Sequence, residues 1–136
     1  MSLVIDSSLT LAWYFPDEGT EATDSLLRRV AQSGAVAPVH WPAEVANGFQ
    51  MAVRRKRIDA AYRDTSLAEL GHFGIAIDSD TNAHIWGATV QLADRYQLTV
   101  YDAAYLELAQ RRRLPLATLD GALVAAAKAA GVEVLP

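Results

Sequence analysis

The sequence predicts an α/β fold in three layers: a central, mostly parallel sheet of four to five strands flanked by helices. Two observations lead there. Short apolar runs, Leu3-Val4-Ile5 first among them, have the unbroken hydrophobicity of strands buried on both faces. Segments of helical length separate these runs, and strands alternating with helices build parallel sheets with right-handed crossovers. The 136 residues, half of them apolar and a fifth charged, are expected to form one domain over 1–136 with a substantial core.

The first strand, 3–6, stops at Asp6, and Ser7 or Ser8 is placed to cap a helix over 9–15 that Pro16 ends. Thr20 caps a second helix to 32, closed by Ser33-Gly34. A short strand at 35–37 follows. Trp41-Pro42-Ala43-Glu44 then opens a longer helix, with Pro42 at its first position and Val45, Phe49, Ala52 and Val53 as its core-facing stripe. Asp59 starts a helix to 70, and 73–77 reads as a strand. Ser79 or Asp80 caps a helix to 96, residues 98–101 connect, and Asp102 begins a helix to about 112. A strand at 115–119, a helix over 120–130 closed by Gly131, and a strand at 132–134 complete the chain.

Composition removes several classes. With no cysteine, disulfides and thiolate metal sites are excluded, and a reducing cytoplasm is the expected setting. Neither a signal peptide nor a run long enough to span a bilayer is visible. A net charge of −4 argues against broad electrostatic wrapping of nucleic acid. The basic residues instead cluster as Arg54-Arg55-Lys56-Arg57 and Arg111-Arg112-Arg113, where cations suit helix C-termini. His40, His72 and His84 show no ligand spacing and read as structural or exposed.

Four acids occupy comparable topological places. Asp6 and Asp120 follow strands, Asp102 opens a helix, and Glu44 lies in the first turn of another. Helix starts in a parallel sheet gather at one edge, where ligands bind. Each acid alone has a structural role open to it, as an N-cap or as a first-turn acid favoured by the dipole. Together they would repel one another and raise their own pKa values unless a cation neutralised them. An all-oxygen cluster suits Mg²⁺ or Mn²⁺. Thr118 points to the same side of its strand as Asp120, and Asn47 shares a helix face with Glu44; both are candidates for supporting roles.

Val4-Ile5-Asp6-Ser7-Ser8, Pro42-Ala43-Glu44-Val45-Ala46-Asn47, Tyr101-Asp102-Ala103-Ala104-Tyr105-Leu106 and Thr118-Leu119-Asp120 follow one another as they do in PIN domains. Over essentially its whole length the chain resembles the VapC toxins of toxin–antitoxin pairs. That resemblance implies a PIN-like fold and a Mg²⁺- or Mn²⁺-dependent endoribonuclease, homodimeric and silenced by a VapB-type antitoxin. It also implies that Asp6 and Asp102 are metal ligands, that Glu44 and Asp120 complete the site directly or through waters, and that Thr118 supports the last acid. The arginine tracts would then be available to hold flanking RNA phosphates. Two alternatives stand beside this reading. A silent PIN-like binding module would have no need of four self-repelling acids. A receiver-type domain would need a second Asp beside Asp6, which is missing.

Overall fold

A computed structural model describes residues 2–136. Strands β1 (Val4–Ile5), β2 (Ala35–Ala37), β3 (Ile75–Ile77), β4 (Leu116–Ala117) and β5 (Val134–Leu135) form one all-parallel sheet in the order β3-β2-β1-β4-β5. β1 is the centre: Val4 stands opposite Val36 on one side and Leu116 on the other, and Leu3, Val4 and Ile5 are wholly buried. From β1 the chain winds outward through β2 and β3, then returns to place β4 and β5 on the opposite side. The sheet therefore has a topological switch between β1 and β4, and a crevice opens at the carboxyl ends of strands at such a switch.

The helices are α1 (Ser7–Ala12), α2 (Glu21–Ser33), α3 (Trp41–Arg54), α4 (Ala60–Leu70), α5 (Thr81–His84), α6 (Val90–Tyr96), α7 (Val100–Arg112) and α8 (Gly121–Ala129). Thr20 and Thr23 form a reciprocal capping box on α2, and Asp59 caps α4 through the Tyr62 amide at 2.8 Å. The α3 stripe is buried at Val45, Phe49 and Ala52, while Val53 is half-buried. Gly48 on α3 lies against Leu11 of α1, and a Cβ there would collide with the Leu11 side chain. Indole Nε1 of Trp41 donates to Thr10 Oγ1 at 3.1 Å, and Thr10 donates to the Asp6 carbonyl at 2.7 Å. These contacts fix the start of α3 against the end of β1.

Several boundaries differ from those expected. Asp6 itself caps α1, so that helix begins at Ser7 and neither serine is its cap. Trp41, with Pro42 second, is the first residue of α3. The helix expected over 80–96 is broken: a π-helical turn, Ile85–Thr89, kinks at Gly87 between α5 and α6. α7 starts at Val100 and is capped by Thr99, whose hydroxyl accepts from the Asp102 amide at 3.1 Å; Asp102 is the third residue of the helix and not its cap. The last strand begins at Val134 because the Val132 amide is spent on the Ala127 carbonyl, closing α8 through Gly131 at φ 77°.

Candidate active site

Asp6 leaves β1 at the switch point with its side chain 3 % exposed. Its partners are one amide and two hydroxyls. Oδ1 accepts from Leu9 N at 3.0 Å and from Ser8 Oγ at 2.7 Å, and Oδ2 accepts from Thr118 Oγ1 at 2.5 Å. Thr118 in turn accepts from the Asp120 amide at 3.0 Å, and Ser8 accepts from the Leu119 amide at 3.0 Å. This ring of hydroxyls ties the end of β1 to the end of β4. It brings no cation to Asp6, and burial pushes the carboxyl up to about 6 despite the hydrogen bonds that pull it down.

Three further acids surround this point. Asp102, half-buried in the first turn of α7, has its pKa raised by burial and then by the charges of Asp120 and Glu44. Asp120 precedes α8 at the cap position, yet its carboxylate makes no capping bond. Glu44, in the first turn of α3, accepts from the Tyr105 hydroxyl at 2.5 Å through Oε1. The Tyr105 phenol is driven far above its ordinary range by burial and by that bond, so it stays a donor. His40 Nε2 stands 3.4 Å from Glu44 Oε1 and 3.0 Å from the Tyr101 carbonyl. The four acids thus face one another closely enough to feel each other's charge. Among the described residues, however, no three acids or imidazoles enclose a position where an ion would be held by side chains alone.

Thr118 lies where a support for Asp6 is needed. Asn47 is exposed, and among the described residues it makes no hydrogen bond to the acids. Three participants escaped the sequence reading. Tyr105 lies three residues after Asp102 on one helix face, and His40 four residues before Glu44, spacings that carry the signal in retrospect. Ser8 was visible as a cap for α1 but serves as a brace for Asp6. The second arginine tract is also reassigned in part. Arg111 and Arg112 converge on Asp78, a fully buried carboxylate just beyond β3, at 2.6 and 3.0 Å, and Arg111 also pairs with Glu107 at 2.9 Å. Burial pushes Asp78 up, but the two guanidiniums outweigh it and hold the carboxyl well below the usual range. Both guanidiniums are thereby turned toward Asp78, although each stays partly exposed.

The five-stranded parallel sheet, with acids at the starts of α1, α3, α7 and α8, agrees with the PIN-like fold that the sequence leads one to expect. The PIN family model matches residues 3–129, and the chain belongs to that family. It is 34 % identical over 121 residues to Ribonuclease VapC3 of Pyrobaculum aerophilum, covering 88 % of this chain and 90 % of that relative. Two solved structures share the fold. PAE2754 of the same organism superposes with a TM-score of 0.72 at 22 % identity, over 98 % of this chain and 90 % of that one. VapC20 of Mycobacterium tuberculosis, a sarcin–ricin loop cleaving toxin, gives 0.63 at 19 % identity, over 99 % and 100 %.

Proposed function

We propose that this chain is a divalent-metal-dependent endoribonuclease, the toxin of a toxin–antitoxin pair, hydrolysing RNA phosphodiester bonds at the crevice between β1 and β4. The observation that carries the reading is the uncompensated charge of that crevice. Asp6, Asp102, Glu44 and Asp120 meet there without one arginine or lysine, although the same fold supplies two arginines to Asp78. Oxygen ligands of this charge fit Mg²⁺ or Mn²⁺, and Mg²⁺ commonly keeps several waters, so four acids need not close a cage. Kinship to Ribonuclease VapC3 supports the same activity.

Asp6 and Asp102 would hold the ion, with Glu44 and Asp120 completing its surroundings directly or through water. When bound, the ion lowers the pKa of water and stabilises charge developing on the scissile phosphate. The chain's own residues prepare for this. Ser8, Thr118 and the Leu9 amide fix both Asp6 oxygens. Tyr105 fixes Glu44 through Oε1 and leaves Oε2 for water or ion. Asp120, with no capping bond to make, is available to orient water or accept its proton. A homodimer, a VapB-type antitoxin as partner, a cytoplasmic site of action and a single domain over 1–136 complete the proposal. No helix among the described residues is long and apolar enough to cross a membrane.

The test is incubation with a pool of transfer and ribosomal RNA in Mg²⁺, Mn²⁺ or EDTA, beside Asp6→Asn. Discrete fragments that require metal and vanish in the variant are expected. RNA that is bound but intact in every condition would favour a binding module.

A further inference from the structure

Acids that attract a cation repel phosphate, and Arg111 and Arg112 are turned toward Asp78, so contacts that need no positive charge would help to hold an RNA strand at the crevice. Beside the crevice lies a cavity of about 460 Å³ bounded by Val39, His40, Asn82, Ile85, Val100 and Tyr101. Two residues belong to both places. His40 lines the cavity and stands against Glu44, and Tyr101 immediately precedes Asp102. The cavity is mostly aliphatic and aromatic, with a single side-chain amide. Its volume lies within the roughly 300–1,000 Å³ of small-molecule sites.

Its walls are set before any ligand arrives. The Tyr101 ring meets the His40 ring edge-to-face at 5.7 Å and 63°, while the Tyr101 carbonyl is 3.0 Å from His40 Nε2. Tyr101 is nevertheless 64 % exposed, which leaves ring surface open. Thr81 accepts from the Val39 amide at 3.4 Å and donates to Asp78 Oδ2 at 2.9 Å, so the arginine-clamped Asp78 also braces Val39. Asn82 is exposed and makes no hydrogen bond among the described residues, so both its donor and its acceptor are available.

We propose that this cavity receives one unpaired nucleobase of the RNA whose phosphate lies at the acids, with Tyr101 as the stacking surface and Asn82 reading the base edge. Bases splayed from single strands are bound by aromatic stacking and by hydrogen bonds to their edges, and neither interaction depends on a basic surface. The inference rests on the ribonuclease reading and adds to it the source of target choice. A metal site alone does not select a sequence.

The probe is the four free ribonucleosides, which carry no phosphate, need no metal and cannot be cleaved. Titrated at millimolar concentration into the ¹⁵N-labelled wild-type protein in EDTA, at least one should shift the amides of Val39, His40, Asn82, Ile85 and Val100 in a saturable way. Tyr101→Ala should weaken that binding at least about fivefold, as loss of one stacking ring does, while Tyr101→Phe should retain it. Asn82→Ala should change which nucleoside binds best. No shift at these amides, or shifts centred elsewhere, would overturn the base site. So would shifts that follow protein concentration without nucleoside, since the cavity would then be covered by a second copy of the chain. Cleavage of the RNA pool without nucleoside binding would remove this inference and leave the nuclease. Nucleoside binding without cleavage would do the reverse.

Discussion

Two buried aspartates at equivalent positions in this sheet have opposite surroundings. Asp6 follows β1 and Asp78 follows β3, and they are 3 % and 0 % exposed. Asp78 is met by Arg111 and Arg112, and its carboxyl is held below its ordinary range. Asp6 is met by two hydroxyls and an amide, other acids face it across the crevice, and its carboxyl is pushed up to about 6. The fold gives one such carboxylate two guanidiniums and, among the described residues, gives Asp6, Glu44, Asp102 and Asp120 no arginine or lysine partner. Asp78 anchors the end of α7 to the sheet edge. Asp6 is held by hydrogen bonds alone, with no cationic side chain beside it among the described residues.

The contrast is broken most forcefully by removing charge from each member in turn. Asp6→Asn should abolish metal-dependent RNA cleavage and should not lower stability at neutral pH. The amide keeps the Leu9 and Ser8 bonds, and Thr118 can rotate to accept from it. Asp78→Asn should cost roughly 1.5–3 kcal/mol in denaturant unfolding, because a buried amide cannot neutralise the two partly exposed guanidiniums that meet it. Where it stays folded, Asp78→Asn should retain RNA cleavage. Equal losses of stability in both variants would dissolve the distinction.

The pH dependence of stability should separate the pair by sign. Asp6 rises from 3.8 to about 6 on folding, so the folded protein holds a proton that the unfolded chain releases. Its contribution to stability is complete below the unfolded value and is lost as the pH rises through about 6, an effect of roughly 3 kcal/mol. Asp78 is shifted downward, so its contribution is complete above its unfolded value and is lost as the pH falls below it. As the pH falls from about 6 to about 4, the unfolding free energies of wild type and Asp6→Asn should therefore converge, and above about pH 6 they should stay apart by a constant amount. Parallel curves would show that Asp6 carries no such shift.

Smaller changes sharpen the picture. Tyr105→Phe frees Glu44 from its only hydroxyl partner and should lower cleavage about 10- to 100-fold, the usual effect of losing an outer partner of a ligand. Asn47→Ala should leave both cleavage and stability within about 0.5 kcal/mol of wild type, because the side chain faces solvent.

The parts of this molecule legible in its sequence are those fixed by neighbouring residues. β1 showed itself through three apolar residues ending at a carboxylate, and the caps Thr20 and Asp59 through their local chemistry. The acids stood out because each sits at a helix start, and the sheet topology alone brings such starts together. What stayed hidden depends on distant partners. Nothing near Asp78 announces that arginines 33 and 34 residues away will close on it, so the Arg111–Arg113 tract reads as the cations of a helix C-terminus, available to flanking phosphates. Asp102 is the third residue and not the cap because the helix already starts at Val100, with Thr99, in an apparently extended segment, as its cap. The break at Gly87 was invisible because the polar–apolar pattern runs through it.

The most direct test of the account is where a divalent ion goes. Mn²⁺ titrated into the ¹⁵N-labelled protein should broaden amides around Asp6, Glu44, Asp102 and Asp120 first and leave those around Asp78 sharp, and Asp102→Asn should abolish the effect. Broadening centred on Asp78, or spread over surface acids such as Asp17 and Glu18, would contradict it.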